Sequence, residues 1–62
     1  MTHEEALMHA IELGQHMAAE YHKDAVRCRD QGKDEMARMY QRLAAKYVGI
    51  HLALRGVTGE AA

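Results

Sequence analysis

The sequence has no proline, no tryptophan, no phenylalanine and no serine, and its single cysteine is Cys28. Without proline, nothing breaks a long helix from within. A lone cysteine excludes an internal disulfide and points to a reducing compartment. Without serine there is no serine nucleophile, and no glycine-rich loop follows a strand-like segment, so neither a hydrolytic triad nor a phosphate cradle is written here. The aromatic residues are three tyrosines, which leaves no free rings on which bases could stack. Apolar residues recur periodically rather than in a run that spans a bilayer, and no basic start leads into an apolar stretch with a small-residue cleavage site. The chain reads as a soluble, cytoplasmic protein with no membrane partner, no catalytic residues and no cofactor.

What is present is helical periodicity on both sides of Gly32. Leu7, Ile11, Gly14, Ala18, Tyr21, Ala25 and Cys28 step by four and three, and so do Met36, Tyr40, Leu43, Tyr47, Ile50, Leu54 and Val57. Each series is the stripe that one helix turns toward another. Folding back at Gly32 sets Cys28 against Met36, Ala25 against Tyr40, Tyr21 against Leu43, Ala18 against Tyr47, Gly14 against Ile50, Ile11 against Leu54 and Leu7 against Val57. Small then faces large at Ala25, Ala18 and Gly14, which lets facing layers interdigitate. The fold class is all-α, an antiparallel two-helix hairpin.

Local signals set the boundaries. Thr2 followed by Glu5 predicts a capping box and a first helix over 3–30, with Arg27 and Arg29 at its negative pole. Gly32 predicts the left-handed stop, and Asp34 and Glu35 suit the positive pole of a second helix over 34–55. Gly56 predicts the end of that helix, with Val57 folding back on Leu52. One domain over 1–57 and a frayed tail over 58–62 follow.

At 62 residues, a lone core is marginal without a disulfide, a metal or a partner chain. The charge is divided to match a partner: the first helix is net acidic by three and the segment Lys33 to Arg55 net basic by three, so unlike helices attract along their flanks. Apolar residues also continue beyond the seam. Ala6, Ala10, Leu13 and Met17 form a second stripe on the first helix; Ala37, Ala44, Val48 and His51, with Met39 nearby, form a looser one on the second. Two hairpins closing such stripes make a homodimeric four-helix bundle. The stripe could instead serve a different protein, for which Met17 and Met39 at the bundle edge are adaptable contacts. The predicted interface is therefore Ala6, Ala10, Leu13, Met17, Met39, Ala44, Val48 and His51.

His3, His9, His16 and His22 are spaced six, seven and six, and only His16 has carboxylates one turn to either side, Glu12 and Glu20; the Glu-x-x-His spacing of di-iron bundles is absent. Exposed histidines paired to glutamates account for this pattern without a metal. Cys28 fits the seam as a small apolar side chain. Arg38, Arg42 and Lys46 form a basic ridge at four-residue spacing, the feature that a nucleic-acid reading needs, although the net charge of −1 lacks the basic excess of a general nucleic-acid binder.

The segment Gly32, Asp34, Glu35, Ala37, Tyr40 and Leu43 resembles the turn and second helix of a tetratricopeptide-type hairpin. Through Ala18 to His22, Leu43 to Tyr47 and Leu54 to Gly56, the chain is similar in architecture to the plasmid RNA-binding bundles of the Rop type. It is equally similar to small helical bacteriophage inhibitors of host regulators, including quorum-sensing anti-activators. The apolar excess beyond the seam and the absence of catalytic groups lead to the expectation of a dimeric helical bundle that occludes a surface of another protein, a transcription regulator among the candidates. The acidic flank of the first helix would then imitate a nucleic-acid backbone. The alternative is a Rop-like nucleic-acid adaptor working through Arg38, Arg42 and Lys46, and a third reading is a metal-binding bundle.

Overall fold

The computed structural model describes residues 2–58 as two antiparallel helices, α1 (His3–Asp30) and α2 (Asp34–Thr58), packed as a hairpin. Thr2 starts α1 from an extended conformation: its Oγ1 accepts the Glu5 amide at 3.1 Å, and its carbonyl accepts the Ala6 amide at 3.0 Å. The return half of the expected capping box takes another form. The Glu5 carboxylate accepts from the Thr2 hydroxyl at 3.2 Å instead of from the Thr2 amide.

The turn is a Schellman motif built on Gly32, whose φ of +75° is the one positive value among the described residues. Lys33 donates to the Cys28 carbonyl at 2.8 Å and Gly32 to the Arg29 carbonyl at 3.0 Å, which satisfies carbonyls that the end of α1 would otherwise orphan. The Lys33 carbonyl then accepts from Ala37 at 2.9 Å and opens α2. Asp34 and Glu35 occupy its first turn, where negative charge complements the helix dipole.

The second helix does not stop at Gly56. It continues to Thr58, Gly56 keeps a negative φ, and both Leu52 and Val57 are exposed, so the expected fold-back of Val57 does not form. A glycine within a helix costs only about 1 kcal/mol relative to alanine, and without a left-handed residue there is no Schellman stop. Of the tail expected over 58–62, Thr58 closes α2 and the remainder lies outside the described residues.

The α1 side of the seam is as the periodicity predicts: Ile11, Gly14, Ala18, Ala25 and Cys28 are buried. The α2 side is rotated. Ala37 is buried, Tyr40 and Tyr47 stack on Tyr21, and a Cβ placed on Gly14 would stand 3.1 Å from His51 Cβ. The seam of α2 therefore runs through Ala37, Tyr40, Ala44, Tyr47, His51 and Leu54. Met36, Ile50 and Val57, expected inside, are exposed, and Leu43 is half-buried. Small residues win these places because the helices approach closely. Gly14 stands opposite His51, which sets Ala37 at the level of Cys28 and Ala44 at the level of Tyr21, and three tyrosine rings pack between the helices. Tyr21 lies between Tyr40 and Tyr47 with ring centroids 5.9 and 5.6 Å away and 26° between planes in each pair, an offset-stacked arrangement worth about 0.5–1.5 kcal/mol per pair beyond burial.

The core is consequently thin. Ile11 is its only large, fully buried side chain among the described residues, while Leu13, Met36, Met39, Ile50 and Leu52 stay exposed.

Candidate interaction face

Seam residues on each helix are immediately preceded by residues that point to one side. Because successive residues turn by about 100° and the helices are antiparallel, those preceding residues fall on the same broad face of the hairpin. On α1 they are Ala6, Ala10, Leu13, Met17, Glu20 and Asp24. On α2 they are Met36, Met39, Leu43, Lys46, Ile50 and Ala53. Met36, Leu43, Ile50 and Val57 recur every seven residues, the period of a helix seam that expects another helix.

This face is open to solvent. Leu13 is 61% exposed, Met39 47%, Met36 42% and Ile50 41%; Met17 and Ala10 are half-buried and Ala6 is exposed. Of the predicted interface residues, Ala6, Ala10, Leu13, Met17 and Met39 thus share one surface. Val48, also exposed, follows a seam residue and lies on the opposite broad face with Leu52. Ala44 and His51 turn inward: both belong to the intrachain seam, and His51 sits against Gly14 with its Nδ1 buried and without a hydrogen-bond partner among the described residues. The sequence reading missed Met36, Leu43 and Ile50 as outward residues. The signal was their seven-residue spacing, which was assigned to the seam because these side chains are more apolar than Ala37, Ala44 and His51.

Charges flank the face asymmetrically. Glu20 pairs with Lys23 at 3.6 Å and Asp24 with Arg27, each acid one turn before its base, an exposed arrangement worth about 0.3–0.5 kcal/mol. Arg38, Arg42 and Lys46 are exposed, and among the described residues none of them pairs with an acid. Glu35, Arg38, Met39 and Arg42 line an open hollow near the turn. Lys46 alone of the ridge stands on the apolar face.

No protein family, curated protein or solved structure matches the chain. Function rests on the geometry.

Among the described residues, no three of histidine, cysteine, aspartate and glutamate gather as a metal-ligand set; Glu12 and His16 are exposed, and Glu20 is engaged with Lys23. Cys28 is buried as a free thiol in the seam. No helix among the described residues is long and apolar enough to cross a membrane.

Proposed function

We propose that the chain is a non-enzymatic protein-interaction module, working as a homodimeric helical bundle that binds and modulates a further protein. The observation that carries this reading is the broad face on which Leu13, Met36, Met39 and Ile50 are exposed beside half-buried Met17 and Leu43. A contiguous apolar surface of this kind marks an association site. A transcription regulator as the target is the narrower form of the proposal, supported by exposed Glu4, Glu5 and Glu12 on α1. Lys23 and Arg27 pair with Glu20 and Asp24, so the three glutamates of the N-terminal half carry the mimicry of a nucleic-acid backbone. The test compares proteins captured by the intact chain with those captured by a Leu13→Asp/Ile50→Asp variant. A partner retained by the first and lost from the second is expected; co-purification of RNA or DNA with no protein partner would sink the reading.

One observation favours a second reading, a nucleic-acid adaptor: Arg38, Arg42 and Lys46 pair with no acid among the described residues. That reading expects binding that weakens with salt and falls when all three become alanine. Binding unchanged in the triple variant eliminates it.

A further inference from the structure

Shape and area say how much surface the hairpin leaves unburied. Its radius of gyration is 13.9 Å, whereas a compact chain of its length has about 10.6 Å and one of twice its length about 13.7 Å. It exposes 4603 Å², against about 4,000 Å² for a compact protein of its mass. Two copies closed into one body of doubled mass would expose about 6,700 Å² by the same scaling. The closure would remove about 2,500 Å² in total, the range of an obligate dimer rather than a passing contact. A second layer laid on a body of 44 × 22 × 14 Å supplies that area without lengthening it.

Charge decides how the layer is placed. Within its observed bounds α1 is net acidic by three and α2 net basic by two. A two-fold axis along the hairpin sets both turns at one end and lays each α1 on the other copy's α2. A two-fold axis across it sets the turns at opposite ends and lays like helix on like helix. In the first arrangement Glu20 and Asp24 of each copy face the α2 that carries Lys46, and in the second they face the same acids of the other copy's α1. The register agrees in detail. Gly14 stands opposite His51, so Lys46 lies at the level of residue 19, about 1.5 Å along the axis from Glu20. Closing the layer along the hairpin axis carries this lysine, which pairs with no acid among the described residues, to the acid of the facing α1.

We infer that the apolar face is covered by a second copy of this chain with both turns at the same end, α1 against α2 in each half, and Lys46 paired across the interface with Glu20. The inference rests on the interaction-module reading and adds its occupant and orientation.

The experiment uses the full chain with Cys28→Ala and a spin label at Lys33→Cys, an exposed turn position, and measures the label-to-label distance by pulsed dipolar spectroscopy. Turns at the same end give a separation on the order of 20–30 Å, one bundle width with label arms; turns at opposite ends give one near the 44 Å length. In parallel, Lys46→Glu weakens the dimer about tenfold, equivalent to about 1.4 kcal/mol, and Glu20→Lys/Lys46→Glu recovers it. A distance near the full length, a Lys46→Glu dimer as tight as the parent, or no recovery in the double variant overturns the inference. A chain that stays monomeric at every concentration also overturns it, yet leaves the face free for a different protein, so the interaction reading falls only if protein capture fails as well.

Discussion

Replacing Gly14 and Gly49 by alanine, one at a time, separates what close packing demands from what a helix gains. Both glycines are interior to helices, so each variant gains about 1 kcal/mol of helix propensity. At Gly49 the added methyl meets nothing within 4 Å. The gain stands, and the thermal midpoint rises by about 4–8 °C for a chain of this size. At Gly14 the methyl would stand 3.1 Å from His51 Cβ and 3.7 Å from its Cα and N. No change of rotamer moves these atoms, so α1 and α2 must part by a few tenths of an ångström along a seam closed by tyrosine stacking. Overpacking of this kind costs about 1–3 kcal/mol, which cancels or exceeds the propensity gain. Thermal and urea unfolding, followed by far-ultraviolet circular dichroism at one protein concentration, should therefore rank Gly49→Ala above the parent and Gly14→Ala level with it or below. If Gly14→Ala rises as far as Gly49→Ala, the helices do not meet at this level and a seam through His51 is wrong.

Three further outcomes follow from the same geometry. Gly32→Ala forces an L side chain into a left-handed conformation at φ +75° and costs about 1–2 kcal/mol, visible as a lowered urea midpoint with unchanged slope. Tyr21→Leu removes both ring pairs, at about 1–3 kcal/mol in all, and flattens the near-ultraviolet tyrosine signal; an unaltered spectrum would contradict the stack. Cys28 is 8% exposed, so a thiol reagent modifies it slowly in the native state and fast in urea, and immediate native modification would place the thiol outside the seam.

The helices, the turn and the whole α1 face of the seam were legible in the sequence because each rests on a local rule: a cap at Thr2, a left-handed glycine at Gly32, and small or apolar residues at steps of three and four. The α2 face was not. Tyr40, Tyr47 and Leu54 belong to either of two stripes rotated by part of a residue, and hydrophobicity favours the one containing Met36, Leu43 and Ile50. The structure takes the other, because Ala37 and Ala44 permit an approach that larger side chains would block, and because the tyrosine stack needs it. The end of α2 was misjudged for a related reason. Gly56 has the composition of a stop, but the left-handed conformation that makes a stop is a property of the backbone. Arg38, Arg42 and Lys46 lie exposed on α2, and of the second stripe on α1 Ala6 and Leu13 are exposed while Ala10 and Met17 are half-buried.

The rotation links stability to association. By placing alanine, glycine and tyrosine in the seam, the chain joins its helices with one large, fully buried aliphatic side chain among the described residues, Ile11, and leaves Leu13, Met36, Met39 and Ile50 exposed on one outer face. A hairpin with so little of its own core gains most from whatever covers that face, and a cover that binds only the folded form stabilises it in proportion to the logarithm of its concentration. If the cover is a second copy, raising protein concentration raises the thermal midpoint, and dilution removes helicity and dimer mass together. Leu13→Asp/Ile50→Asp should then lose that dependence and unfold at the midpoint the parent approaches on dilution. A midpoint that is high and independent of concentration in both proteins would mean that the seam alone holds the hairpin, and that the outer face contributes nothing to folding.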